Sequence, residues 1–230
     1  VAVSQNGIYI IDADSHTLDD KGREQLKSIP GLEYTCRMFL DTKGRIWLAS
    51  EFGGLAVVDK KSFEPVDIKW NVSGSASKED ILVTSFIEDS VTGNIFIGTS
   101  NNGILVFEGS SMTVRQARGT SAMSCKAMSL LPDNRYGHNN EGRYLVGTEN
   151  DGFKIFDTAT EDVRKLTLYG FHQSMNSWKV HSIIEDRHGN IWAAVYQTGL
   201  MLIPKSMFGF RSRSFNENLA ANEASACVTS

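Results

Sequence analysis

The 230-residue sequence predicts an all-β fold, a β-propeller of four-stranded antiparallel blades. Three observations predict it. One pattern recurs along the chain: "DTKGRIWLASEFGGL" (41–55), "DSVTGNIFIGTSNNGI" (89–104), "GRYLVGTENDGF" (142–153) and "DRHGNIWAAVYQTGL" (186–200). The recurrence has one period. The glycine ahead of the second apolar run falls at Gly7, Gly54, Gly103, Gly152 and Gly199, at intervals of 47 to 49 residues, and the aromatic of the first run, Trp47, Phe96, Tyr144 and Trp192, keeps 48 or 49. Such a period belongs to propeller blades or helical repeats. The apolar runs are short, β-rich and bounded by Gly, Asn and Asp, which excludes the 3.6-residue spacing that helices need.

Each unit reads as strands A to D. Strand A is "TCRMFLD" (35–41), "VTSFIED" (83–89) and "VHSIIED" (180–186). A turn follows, "DTKG" or "DRHG", in which Asp accepts from the backbone beyond it and Gly takes positive φ. Strand B is "RIWLAS" or "NIWAAV", and its aromatic is expected between neighbouring blades. A second turn, "EFGG" or "NNG", leads to strand C, "LAVVDK" or "ILVFEG". Strand D is weaker: "PVDIKW" (65–70), "MTVRQA" (112–117), "DVRKLTL" (162–168) and "FRSRSF" (210–215). Inner strands are expected to be buried on both faces and the outer strand to alternate. The third unit carries a longer A-to-B segment, "NRYGHNNEGR", which adds surface to an intact blade.

These markers divide 1–230 into a partial blade (1–34, strands B to D), blades at 35–82, 83–126, 127–179 and 180–225, and the start of another at 226–230. The chain enters within strand B at "VAVS" and leaves at "SACVTS", which matches the start of strand A. The remnants would complete one blade and close a five-bladed ring, or the chain is an excerpt of a larger ring; the blunt start and stop favour the excerpt.

Composition narrows the function. A net charge of −4 argues against a nucleic-acid surface. No apolar run approaches the length of a membrane span. Cys36, Cys125 and Cys227 have no metal spacing and suggest no disulfide framework. His16, His138, His172, His181 and His188 show no zinc motif, and no nucleophile elbow or phosphate loop is present. His181, in strand A, is expected to pack or to line the channel rather than to bind metal. Asp41, Asp89 and Asp186 are expected to cap turns, because one carboxylate per unit falls short of the six or more oxygens of calcium. No catalytic residue, metal or cofactor is therefore assigned.

The pattern D-x-x-G-x-[IL]-W-[IL]-[GA]-[TS]-x-x-x-G-[LI], met in "DTKGRIWLASEFGGL" and "DRHGNIWAAVYQTGL", resembles the two-component-regulator propeller repeat. "GLMLIPKSMFGFRSRSF" (199–215) is similar to the interior of the same sensors. The third unit departs by losing its short Asp-Gly turn. The resemblance, over nearly the whole chain, implies the periplasmic sensor region of a histidine kinase, notably the hybrid two-component systems of gut Bacteroidetes. It implies a larger ring, commonly seven-bladed, a homodimeric parent with its membrane helix and kinase core outside this sequence, and a sugar-like, oligosaccharide ligand. Kinase chemistry then lies elsewhere, and this chain is not an enzyme.

In a propeller the B-to-C turns and D-to-A connections share the face around the channel mouth. Sugar hydroxyls want amides and carboxylates, with an aromatic platform for C–H faces. The candidates are Phe52, Asn102, Asp151, Tyr196 and Gln197 in the turns, and Trp70 and Trp178 in the connections, with Tyr169, Phe171 and His172 beside Trp178. Turn chemistry alone would also place Asn and Asp there, and loop packing would account for Trp178. Two other functions compete: a protein-interaction propeller for dimer or domain contacts, and a propeller lyase or glycosidase using mouth carboxylates such as Glu51, Glu149 and Asp151.

Overall fold

The computed structural model describes residues 2–4, 7–11, 18–19, 34–72, 77–121, 123–130, 142–166 and 177–208. These residues form a series of strands, with a 3-10 turn at Lys205–Phe208. β1 (Ala2–Ser4), β2 (Gly7–Ile11) and β3 (Leu18–Asp19) form one antiparallel sheet; β4 (Thr35–Leu40), β5 (Arg45–Ser50) and β6 (Leu55–Asp59) form the next. β8 (Val83–Glu88), β9 (Ile95–Thr99), β10 (Ile104–Glu108) and β11 (Thr113–Gln116) follow, joined by β7 (Lys69–Asn71). Then come β12 (Cys125–Leu130), β13 (Arg143–Thr148), β14 (Phe153–Asp157) and β15 (Val163–Lys165), and last β16 (Val180–Glu185), β17 (Ile191–Val195) and β18 (Gly199–Ile203). Within each sheet consecutive strands pair antiparallel. The opening strands β4, β8, β12 and β16 are neighbours in turn. The fold is all-β and propeller-like. The third unit's opening strand begins at Cys125 rather than 127, and "FRSRSF" and "SACVTS" lie outside the described residues.

The recurring motif has a concrete cause. One oxygen of Asp41 accepts from Lys43 N (3.0 Å) and Arg45 N (2.8 Å), which closes the turn; the other accepts from Trp47 Nε1 (2.9 Å) and Arg45 Nε (2.6 Å). Asp186 repeats this with His188 N (2.9 Å), Asn190 N (2.9 Å) and Trp192 Nε1 (3.0 Å). The aspartates cap turns, as expected, and also anchor the indole of strand B. In the second unit Phe96 has no donor, and Asp89, fully buried, instead accepts from Tyr144 Oη of the next sheet (3.2 Å). Burying a carboxylate needs such partners.

Packing between sheets forms the core. Trp47, Ala49, Leu55 and Val57 face Ile95, Ile97, Leu105 and Phe107. Phe96, Ile104 and Val106 face Val146 and Phe156. Leu145 and Phe153 face Ile183, Ile191, Ala193 and Met201. A sheet packed on both sides buries both faces of its middle strand, so every residue of β9 is buried.

Four expectations need correction. Burial does not fade steadily from strand A: β4 and β16 are largely exposed, and strand B is the most buried. Strand A is the edge of its sheet, paired on one side only, whereas strand B is paired on both. Tyr144 is not the counterpart of Trp47. Counted back from the residue that pairs with the start of strand A (Ser50, Thr99, Thr148, Val195), the equivalents are Trp47, Phe96, Leu145 and Trp192. Tyr144 therefore points to the preceding sheet; the long 131–141 segment hides this offset in the sequence. Trp192 is only half-buried. Its face carries Ile184, Leu200 and Leu202, which are 61%, 69% and 42% exposed. Finally, 65–70 is not one strand. Pro65 makes a single bridge to Val58, and Val66 N donates to Val57 O (2.8 Å). Proline gives no ladder donor, and the chain crosses over, so that β7 pairs parallel to β11 of the next sheet through Trp70 and Val114.

Candidate ligand-binding face

One bond recurs where each B-to-C turn meets the residue entering strand A. Glu51 N donates to Tyr34 O (2.9 Å), Ser100 N to Leu82 O (2.9 Å), Glu149 N to Ser124 O (3.3 Å) and Tyr196 N to Lys179 O (2.9 Å). These bonds fix the turns and the D-to-A connections on one end of the sheets. The turns have a shared interior. Thr99 and Thr148 accept at Oγ1 from Asn102 N and Asp151 N (2.9 Å each) and donate to Gly103 O and Gly152 O (2.8 and 2.9 Å). The period-marking glycines Gly54, Gly103, Gly152 and Gly199 all take positive φ. At Gly103 a Cβ would lie 1.9 Å from Thr120 O.

Strand A adds a second device at the same end. β4, β8, β12 and β16 each carry a bulge, between Thr35 and Arg37, Val83 and Ser85, Cys125 and Ala127, and Val180 and Ser182. The extra residues are Cys36, Thr84, Lys126 and His181. A bulge re-aims its side chain, and here it does so beside the turns.

The predicted residues divide into two groups. Phe52 is 73% exposed, with its ring edge-on to Tyr34 at 4.9 Å. Asn102 O accepts from Gln116 Nε2 (2.8 Å), and Asn102 Oδ1 is buried without a hydrogen-bond partner. Asp151 is exposed and ion-paired with Lys154. Tyr196 is 54% exposed; Gln197 is exposed, in the left-handed region at φ 59°. Trp70 and Trp178 differ: both are half-buried, Trp70 against the cluster around Trp47 and Trp178 against the cluster around Leu145 and Phe153. Packing fixes these two. Phe52 and Tyr196 stand at opposite ends of the series of described sheets from Thr35 on. Tyr169, Phe171 and His172 lie outside the described residues.

Between the last two sheets the face is most developed. Lys126 Nζ lies 2.9 Å from Glu149 Oε2, and Lys179 Nζ lies 3.5 Å from Oε1. Lys179 also sits 5.7 Å from the Tyr196 ring centroid, and His181 meets that ring edge-on at 5.8 Å. The hydrogen bond from Lys126 holds the Glu149 carboxyl below the usual range. A cleft of about 400 Å³ adjoins this turn, lined by Met123, Ser124, Thr148, Asn150, Asp151 and Lys154 among others. Sequence inspection named His181, Glu149 and Asp151 but missed Lys126, Lys154 and Lys179. Only the strand-A alignment, which sets Lys126 and His181 beside Cys36 and Thr84, could have found the first. Among the described residues no group of three or more His, Cys, Asp or Glu could hold a metal, and no helix is long and apolar enough to cross a membrane.

No protein-family model and no curated protein matches the chain. Solved structures do. The extracellular domain of a B. thetaiotaomicron protein designated a hybrid two component system matches at 20% identity and TM-score 0.63, covering 87% of this chain and 25% of that one. A second such domain from B. thetaiotaomicron matches at 21% identity and TM-score 0.60, covering 86% and 24%. An ancestral GH74 enzyme matches at 11% identity and TM-score 0.55, covering 76% and 23%. This chain thus spans about a quarter of the length of each of these three solved chains. At these identities the likeness establishes the fold, which is that of the extracellular two-component sensor domains whose repeat the sequence resembles.

Proposed function

We propose that this chain is part of the extracytoplasmic, periplasmic sensor region of a two-component histidine kinase, and that it meets an oligosaccharide on the B-to-C turn face. The observation that carries this is the Tyr196 site. An open aromatic ring is braced by His181 and Lys179 and set beside polar turn residues, on a fold shared with extracellular sensor domains. An exposed aromatic face with flanking donors and acceptors fits the C–H face and hydroxyls of a sugar. Phe52, Asn102, Asp151 and Gln197 extend the surface; Trp70 and Trp178 support it from beneath.

The units 35–82, 83–126, 127–179 and 180–225 are blades of a larger, seven-bladed ring, with 1–34 and 226–230 belonging to flanking blades. The uncovered face of Ile184, Trp192, Leu200 and Leu202 supports this, since an apolar sheet face of that kind marks a packing surface. The parent acts as a homodimer and carries the membrane anchor and kinase. Hydrolysis is not this chain's task. A glycosidase needs one carboxyl kept protonated, and Lys126 and Lys179 instead hold the Glu149 carboxyl below its usual range.

The test is a thermal-shift screen of the sensor region against an oligosaccharide panel, repeated with Tyr196→Ala and Phe52→Ala. A ligand that binds only the folded state raises Tm. A sugar whose shift is lost in Tyr196→Ala is expected. No shift with any sugar, or shifts indifferent to both changes, would point to the interaction-module alternative.

A further inference from the structure

The seam between the sheets β12–β15 and β16–β18 narrows the class of ligand; the inference rests on the sensing face proposed above. Two ammonium groups converge on one carboxylate there, Lys126 Nζ at 2.9 Å and Lys179 Nζ at 3.5 Å from Glu149. One negative charge between two positive ones leaves an excess of positive charge, in a chain of net charge −4.

The two lysines are not equivalent. Lys126 makes the short contact, with its side chain 26% exposed; Lys179 makes the longer one, with its side chain 43% exposed. An ammonium carries three donors, and Glu149 engages Lys179 only loosely. Lys179 Nζ also lies over the Tyr196 ring, 5.7 Å from its centroid. The same two residues are locked through the backbone, Tyr196 N to Lys179 O at 2.9 Å. His181, at the bulge of β16, packs T-shaped against the same ring, with 5.8 Å between centroids. The result is a ring, 54% exposed, with a part-exposed cation over it, 5.7 Å from its centroid. A ring stacked there would hold its own substituent beside that cation. A charge-assisted bond is roughly twice as strong as a neutral one, so an anionic substituent gains most from the position.

We infer that this seam binds an acidic saccharide: a pyranose stacks on Tyr196, and its carboxylate or sulfate ester is taken by Lys179. Glu149, itself fixed by Lys126, positions Lys179 and sets the spacing.

The test is calorimetric titration of the chain with three sets of oligosaccharides. The first contains galacturonate, glucuronate and mannuronate oligomers, the second their carboxyl-reduced counterparts, and the third sulfated galactose and glucosamine oligomers. At least one acidic oligomer is expected to bind tenfold or more tighter than its neutral counterpart, with affinity falling as salt rises. Lys179→Met removes that preference, Lys179→Arg keeps most of it, and Tyr196→Ala weakens acidic and neutral forms alike. Which acidic set binds distinguishes carboxylate from sulfate. Equal binding of acidic and neutral forms, with Lys179→Met silent, overturns the acidic preference and leaves sugar sensing standing. Binding indifferent to both Lys179→Met and Tyr196→Ala removes the ligand from this seam. No binding in any set overturns the preference and the sugar-sensing proposal together.

Discussion

Trp47 and Trp192 make a matched pair that isolates the contribution of a covering sheet. Each donates its indole N–H to the aspartate at the preceding turn, at 2.9 and 3.0 Å. Replacing either with alanine removes the same hydrogen bond. What differs is cover. Trp47 is fully buried, edge-on to Phe107 of the next sheet at 4.8 Å, while Trp192 is half-buried on an open face. Emptying a buried aromatic site costs about 3–5 kcal/mol, and Trp47→Ala should fall there. Full burial of a large apolar side chain is worth about 1.5–3 kcal/mol over exposure. Trp192 forgoes part of that, so Trp192→Ala should cost about 1–2 kcal/mol less than Trp47→Ala. Guanidinium unfolding of both variants, with unchanged m-values, measures the difference. In a longer protein that supplies the following blade, the two costs should converge. A Trp192→Ala cost equal to that of Trp47→Ala in this chain, or a Trp47→Ala cost below about 1 kcal/mol, the level of surface changes, would refute the packing described.

Other consequences are independent of this pair. Tyr144→Phe deprives buried Asp89 of its inter-sheet donor and should cost about 1–3 kcal/mol in denaturant unfolding; a neutral result would mean the contact does not form. Gly103→Ala should destabilise by well over 1 kcal/mol, because its Cβ would meet Thr120 O at 1.9 Å, whereas Gly44→Ala, with open space around it, should cost only about 1 kcal/mol of backbone strain; equal costs would contradict the turn geometry. Stability should fall on acidification. For Asp41 and Glu161 burial alone would raise the carboxyl, but hydrogen bonds outweigh it, from Trp47 and Arg45 to Asp41 and from Arg115 and Arg118 N to Glu161. The Asn190 amide leads in holding Asp186 low. Depressed folded values give stability that is present above the ordinary carboxylate range, about 3.9–4.3, and is lost as pH falls through the folded values. Tm should therefore drop from about pH 5 downward, less so in Asp186→Asn; a flat profile from pH 6 to 3 would count against these pairs.

The strands were legible because their signals are local. Gly54, Gly103, Gly152 and Gly199 mark turns that require positive φ, and Asp41 and Asp186 cap turns through atoms within a few residues. What escaped inspection depends on neighbours distant in sequence. Nothing local to Tyr144 says that it reaches Asp89 of another sheet, and nothing in "PVDIKW" says that Trp70 pairs beside Val114. The charged seam was hidden for the same reason. Lys126, Glu149 and Lys179 are separate surface residues in the sequence, and become one group only when bulged β12 and β16 lie side by side. Trp70 and Trp178 drew notice as loop aromatics, but the core clusters take them up.

Hydrogen–deuterium exchange of the chain, with and without the oligosaccharide that gives the largest thermal shift, tests the location of sensing most directly. Protection is predicted at 149–152 and 196–199, with weaker effects at 51–54 and 100–103, because those turns share the end where each A strand begins. Protection confined to the opposite turns, 42–44, 90–93 and 187–189, or absent from both ends, would contradict ligand binding on the B-to-C face.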